Sequence, residues 1–138
     1  MSIQKAITNA WGTMKVRQWD TTYFAIDIHG TVLKNNYEGL ATEMYPEAEE
    51  ALRYIATRND IKIILYTSSH TTDCMKYIAM FEALGVQVYA VNCNPECPST
   101  ATGDFSRKFY FSVLLDDKAG FDPATDWYVV IETLKMLS

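Results

Sequence analysis

Three apolar runs each end in residues able to do chemistry. YFAID closes on Asp27 and turns through His29-Gly30-Thr31, IKIILYT closes on Thr67 with Ser68 behind it, and FYFSVLL closes on Asp116-Asp117. Three carboxylates brought to one rim repel one another unless a cation joins them. Carboxylate oxygens with open positions suit Mg²⁺, which keeps several waters and is commonly completed by a substrate phosphate. An aspartate at a strand tip can also attack phosphorus and form an aspartyl-phosphate. Thr67 is suited to hydrogen-bond a phosphoryl oxygen. Lys108, just ahead of the last run, is suited to neutralise the transferring charge.

These residues reach one rim only if the runs are neighbouring parallel strands. The spacing of Ile3, Ala6, Ile7, Ala10, Trp11 and Met14 predicts an amphipathic helix over 3–14, in an extension of residues 1–20 ahead of a 21–138 core. A strand follows over 23–27. Pro46 opens a helix that carries Ala48, Ala51, Leu52 and Ile55 on one face. IKIILYT is a near-continuous apolar strand of the kind buried on both faces of a parallel sheet. Thr71 or Thr72 caps the next helix, which places His70 at its start, and Gly85 closes it. Further strands are expected over 86–91 and 109–115, then a terminal helix marked by Trp127, Leu134 and Leu137. The tyrosine and phenylalanines of FYFSVLL read as sheet core. Strands alternating with helices predict one α/β domain, a doubly wound, Rossmann-like parallel sheet in three α/β/α layers. In such sheets the ligand site lies outside the carboxyl ends of the strands, at a topological switch point.

The runs, taken together, resemble the haloacid dehalogenase-like (HAD) superfamily of aspartate-nucleophile phosphohydrolases. FAIDIHGTV is similar to its first motif, Asp-x-Asp-x-Thr after a strand, and IILYT to its second. Lys108 corresponds to the basic third motif, with Arg107 as the rival, and VLLDD corresponds to the fourth. Lys118, next to the acid pair, is an alternative cation that more often is a solvated loop lysine. The resemblance implies a Mg²⁺-dependent phosphatase acting through an aspartyl-phosphate on Asp27. It implies Asp27, the main-chain carbonyl of His29, Asp116 and Asp117 around the metal, with Asp122 in indirect support. Thr67, Ser68 and Lys108 would bind the phosphoryl group. The departure is the His29 side chain, which stands where family phosphatases carry the acid/base aspartate. Imidazole can move protons near neutral pH, and general acid, inert replacement and substrate contact all stay open for it. P-type ATPases carry Thr at this position and phosphonoacetaldehyde hydrolases carry Ala. The alternative is a catalytically degenerate member that binds phosphate and metal and acts through a partner. Residues 32–45 leave room only for a short flap, and 68–107 are used by core elements, so no large cap domain is expected. Any lid is then borrowed from a partner subunit in a homo-oligomer; the N-terminal helix reads first as core packing, with lid or dimer contact as its alternatives.

Composition narrows the alternatives. The chain has 138 residues, 49% of them hydrophobic, and a net charge of −5. That suits one domain with a real core and argues against a nucleic-acid surface, which needs basic patches. No membrane span or signal-peptide pattern is legible. The three cysteines, Cys74, Cys93 and Cys97, cannot all pair within one chain, which points to reduced thiols and a cytoplasmic protein. NCNPEC lacks a second ligand pair for zinc, so Cys93 and Cys97 read as loop cysteines. A phosphoacceptor receiver domain would place the acid pair after the first strand and the phosphorylated aspartate after the third, the reverse of the order here. The class of phosphorylated substrate is not legible.

Overall fold

The computed structural model describes residues 2–34, 43–101, 103–105 and 108–137. Its centre is β1 (Thr22–Asp27), buried from Thr22 to Ile26 and opening to solvent only at Asp27. β2 (Ile61–Tyr66) pairs with one edge of it and β4 (Val113–Leu115) with the other; β3 (Val88–Val91) lies beyond β2. All pairings are parallel, in the order β3-β2-β1-β4. The chain thus leaves β1 toward one edge and returns on the other, which makes the β1/β4 boundary the switch point. The connecting helices are α1 (Ile3–Arg17), α2 (Pro46–Ala56), α3 (Thr71–Ala83) and α4 (Asp126–Lys135).

The α/β class and the parallel sheet are as the sequence predicts, but the two faces are covered differently. Side chains alternate along a strand, so Phe24, Ile26, Ile63, Leu65, Val113 and Leu115 share one face. Ile7 and Trp11 of α1, Leu52 and Ile55 of α2, Tyr77 and Phe81 of α3, and Trp127 and Val130 of α4 all join the same core. The opposite face presents Tyr23, Ala25 and Ile64. Phe109 covers it, with Cys97, Tyr110 and Phe111 against the same patch. Among the described residues, that layer is an irregular aromatic segment, residues 109–112 of which were expected to begin the fourth strand. α1 belongs to the helical core, the packing that its amphipathic pattern predicts, and none of its residues lines the cleft described below. No helix among the described residues is long and apolar enough to cross a membrane.

Two strands are shorter than expected, each for a local reason. Val86 was expected to open a strand, but its N–H donates to Phe81 O (3.0 Å) and the Gly85 N–H donates to Glu82 O (2.9 Å). With Gly85 at φ +80°, this is a Schellman closure of α3, and β3 starts later. Before β4, side chains replace the ladder. Tyr23 N–H donates to Ser112 Oγ (3.0 Å), and Asn94 Nδ2 donates to Tyr110 O (2.9 Å). Residues 109–112 therefore run beside the sheet as an irregular segment, with Ser112 N–H still donating to Tyr23 O. α3 begins at Thr71 itself, with His70 in the N-cap position.

The expected flap falls partly on residues 35–42, outside the described residues, as is Arg107. Its base is an antiparallel bridge between Leu33 and Met44. Lys34 N–H donates to Glu43 O (2.8 Å) and Tyr45 N–H donates to Val32 O (3.0 Å).

Candidate active site

The carboxyl ends of β1, β2 and β4 open into one cleft of about 590 Å³, lined by Asp27, His29, Tyr66, Thr67, Ser68, Asn92, Phe109, Asp116, Asp117 and Lys118. The alternation that buries Tyr23 and Ala25 puts Asp27 on the same face, one step past the buried stretch. Gly30 then turns the chain at φ +81°, which brings the fully buried Thr31 back beneath Asp27. The Thr31 hydroxyl lies 3.1 Å from Asp27 Oδ2 and 3.4 Å from Asp117 Oδ1, and it accepts the Asp117 N–H at 3.0 Å. One side chain thus pins the first strand tip to the last. Trp127, fully buried on α4, donates its indole N–H to Thr31 O at 2.8 Å and so fixes this turn from below. Trp127→Phe removes that donor and leaves a buried carbonyl unpaired. It is expected to cost about 2 kcal/mol, measurable as a lower urea midpoint.

One oxygen from each of Asp27, Asp116 and Asp117 lies within 4.8 Å of the others. This crowding shows in the proton affinity of Asp27, whose carboxyl is pushed from 3.8 up to about 7. Burial is the largest cause, followed by the negative charge of Asp116 and the hydrogen bond with Asp117; Thr31 opposes them. Half-buried hard oxygens gathered this closely, one of them reluctant to ionise beside its neighbours, are a donor set that fits Mg²⁺. Asp116 also accepts the Lys118 N–H at 2.9 Å and caps the single 3₁₀ turn Asp117–Ala119. Asp122 is used elsewhere. Its N–H donates to Asp126 Oδ2 and its Oδ1 accepts the Ala124 N–H, so it shapes the entry to α4 and is not part of the cleft wall.

On the β2 side, Thr67 is held by partners that the sequence did not advertise. Asn92, in the left-handed region at φ +54°, accepts the Thr67 N–H at 3.0 Å and donates its amide to Thr67 O at 2.6 Å. Both ends of that amide are occupied, so Asn92 positions the loop. The Thr67 hydroxyl lies 2.9 Å from Ser69 Oγ and accepts the Ser69 N–H. The same Ser69 hydroxyl is 3.2 Å from His29 Nε2, and the buried Tyr77 hydroxyl meets that nitrogen at 3.2 Å as well. His29 is therefore tied to the opposite wall of the cleft through Nε2, edge-on to the Tyr77 ring. Thr31 belongs to the first motif, whereas nothing in the sequence marks Asn92, Ser69 or Tyr77 for the site. The helical spacing of Tyr77 marks it only as core, and an asparagine after a strand signals only a turn.

The lysines are arranged differently from the expectation. Lys118, adjacent to the acid pair, lines the cleft, whereas Lys108 is exposed and not among the lining residues. Phe109 is buried against the sheet as expected, and it also reaches the cleft wall. Cys74, Cys93 and Cys97 are all free thiols, and none belongs to the acidic cluster.

Comparison with solved structures finds a protein described as a conserved protein coded by a locus of Bacteroides thetaiotaomicron. It shares 26% sequence identity, with a TM-score of 0.65, over 86% of this chain and 93% of that one. The shared fold extends over nearly all of both chains. No family model and no curated protein matches the sequence.

Proposed function

We propose that this chain is a Mg²⁺-dependent phosphomonoester hydrolase with Asp27 as nucleophile, the function that the resemblance to haloacid dehalogenase-like phosphatases implies. The observation that carries the reading is the convergence of Asp27, Asp116 and Asp117 within 4.8 Å in a cleft shared with Thr67 and Ser68. An acidic cluster alone would be only a cation site. Hydroxyls on the neighbouring strand end add groups that donate to phosphoryl oxygens. Asp27, Asp116 and Asp117 would hold Mg²⁺, which when bound offsets the charge on the phosphoryl oxygens.

In the first step an Asp27 oxygen attacks phosphorus. The ester P–O bond breaks, and the leaving oxygen takes its electron pair and a proton from solvent water. In the second step a water oxygen attacks phosphorus, the aspartyl P–O bond breaks, and the Asp27 carboxylate returns as the water gives up a proton. Thr67 and Ser68 orient the phosphoryl group throughout. Lys118 on the wall adds positive charge beside the acids, and Lys108, one residue ahead of Phe109, is the cation that the family resemblance assigns.

His29 decides how well protons move. Its Nε2 already has two hydroxyl neighbours, and this observation favours a second reading, a phosphate- and metal-binding protein with little turnover that works through a partner. Release of phenolate from an aryl phosphate, with and without Mg²⁺, separates the two. No metal-dependent release, with Asp27→Asn indistinguishable from wild type, sinks the hydrolase. His29→Asp is expected to raise turnover by about 10-fold or more, in line with the worth of a placed general acid. A fall would assign the histidine its own role in catalysis or recognition.

A further inference from the structure

We propose that Tyr66, with Phe109 behind it, forms an aromatic wall that selects phosphate monoesters whose leaving group carries a planar ring. The inference rests on the reading of the cleft as a phosphomonoester site and names the substrate class of that same site. In the β1/β2 register Tyr66 is the direct partner of Asp27. Partner residues of a parallel pair project from the same face, on strands about 4.8 Å apart. The phenol ring therefore rises beside the nucleophile, next in sequence to Thr67.

Tyr66 is also out of keeping with its strand. Ile63, Ile64 and Leu65 are almost wholly buried, whereas Tyr66 is 41% exposed and lines the cleft. Its ring rests against a buried aromatic neighbour. Phe109, 8% exposed, meets it edge-on with centroids 5.9 Å apart, and Phe111 supports Phe109 at 5.7 Å. A backed aromatic ring keeps one side available at little cost in side-chain entropy, which is what stacking against a planar group requires.

The size of the cleft agrees. Its volume of about 590 Å³ exceeds what a phosphoryl group fills and falls in the range of about 300–1,000 Å³ used by whole small-molecule ligands. Asn92 borders the same space, but its amide is already committed to Thr67. Among the described residues, the apolar wall left for the leaving group is the ring of Tyr66 and Phe109, with His29 and Lys118 on the polar side of the cleft. A polyol or a phosphoserine side chain would gain little from it.

The test compares benzylphosphonate with cyclohexylmethylphosphonate, equal in carbon number and neither of them hydrolysable, by calorimetry on the Mg²⁺-loaded protein. Wild type and Tyr66→Phe are expected to bind the benzyl compound about 10-fold tighter, and Tyr66→Leu to bring the ratio close to one. Equal affinities in wild type, no binding of either compound, or a ratio that survives Tyr66→Leu overturns the proposal. Adenosine 5′-monophosphate against ribose 5-phosphate distinguishes a base on a sugar from a bare aryl group. A protein that prefers benzylphosphonate yet releases no phosphate from benzyl phosphate removes the hydrolase reading and leaves the aromatic wall standing. Turnover without the preference does the reverse.

Discussion

Asp27→Asn is expected to lower metal-dependent turnover of an aryl phosphate by at least about 1,000-fold, because an amide does not attack phosphorus. The same change should make the metal-free protein more stable above neutral pH. The Asp27 carboxyl rises from 3.8 to about 7 on folding, so between those values the folded chain holds a proton that the unfolded chain has released. Stability contributed by this group is intact below the unfolded value. It is lost as pH climbs through that window toward 7. A shift of this size corresponds to about 4 kcal/mol if fully expressed. Solvent screening at a half-exposed carboxylate reduces it to about 1–2 kcal/mol. Asparagine has no such proton. In chelator, urea midpoints of the variant and wild type should be close at pH 4, with the variant ahead at pH 8. Saturating Mg²⁺ should narrow or reverse the order, since ligand bound only to the folded state stabilises it. A variant less stable than wild type at pH 8 without metal would contradict the crowding of the acids.

Gly30→Ala is expected to damage both the fold and the metal site. Gly30 sits at φ +81°, and a Cβ there would lie 2.7 Å from Asp117 Oδ2, a distance that real Cβ contacts do not reach. The left-handed backbone alone costs an L residue about 1–2 kcal/mol. Moving Asp117 further weakens its link to the Thr31 hydroxyl. The total is expected to be about 2–4 kcal/mol, with Mg²⁺ affinity down by about 10-fold or more. Gly85→Ala is the matched control. Its φ of +80° is nearly the same, but nothing lies within 4 Å of the new Cβ. That variant should lose about 1 kcal/mol in urea and keep its Mg²⁺ titration unchanged. Equal metal affinity in Gly30→Ala and wild type would show that the close approach of the turn to Asp117 does not shape the site.

Much of the fold was legible because its signals are local. An apolar run with no polar alternation marks a strand buried on both faces, and YFAID and IKIILY formed β1 and β2 almost to the residue. Helical spacing and Pro46 located α2. Once the strands are parallel and β1 is central, Asp27, Thr67 and Asp116-Asp117 must share one rim, so the acidic cluster followed from strand order. The two strands that came out short were lost to local capping and to side-chain substitutes for ladder bonds. Ser112 and Asn94 perform that substitution from positions that hydrophobic patterning does not register.

The amino-acid sequence by itself determined the sheet class, the approximate order of its elements and which carboxylates meet at the switch point, because periodicity and strand-end chemistry are properties of neighbouring residues. Only the tertiary structure decided the rest. It covered the second face with the 109–112 segment, put Lys118 and Phe109 on the cleft wall, tied His29 to Ser69 and Tyr77, and made Thr31 the clasp between Asp27 and Asp117. Those contacts join residues up to 89 positions apart in the chain. Their partners are chosen by which faces the packed sheet and helices bring together, and no local pattern encodes that choice.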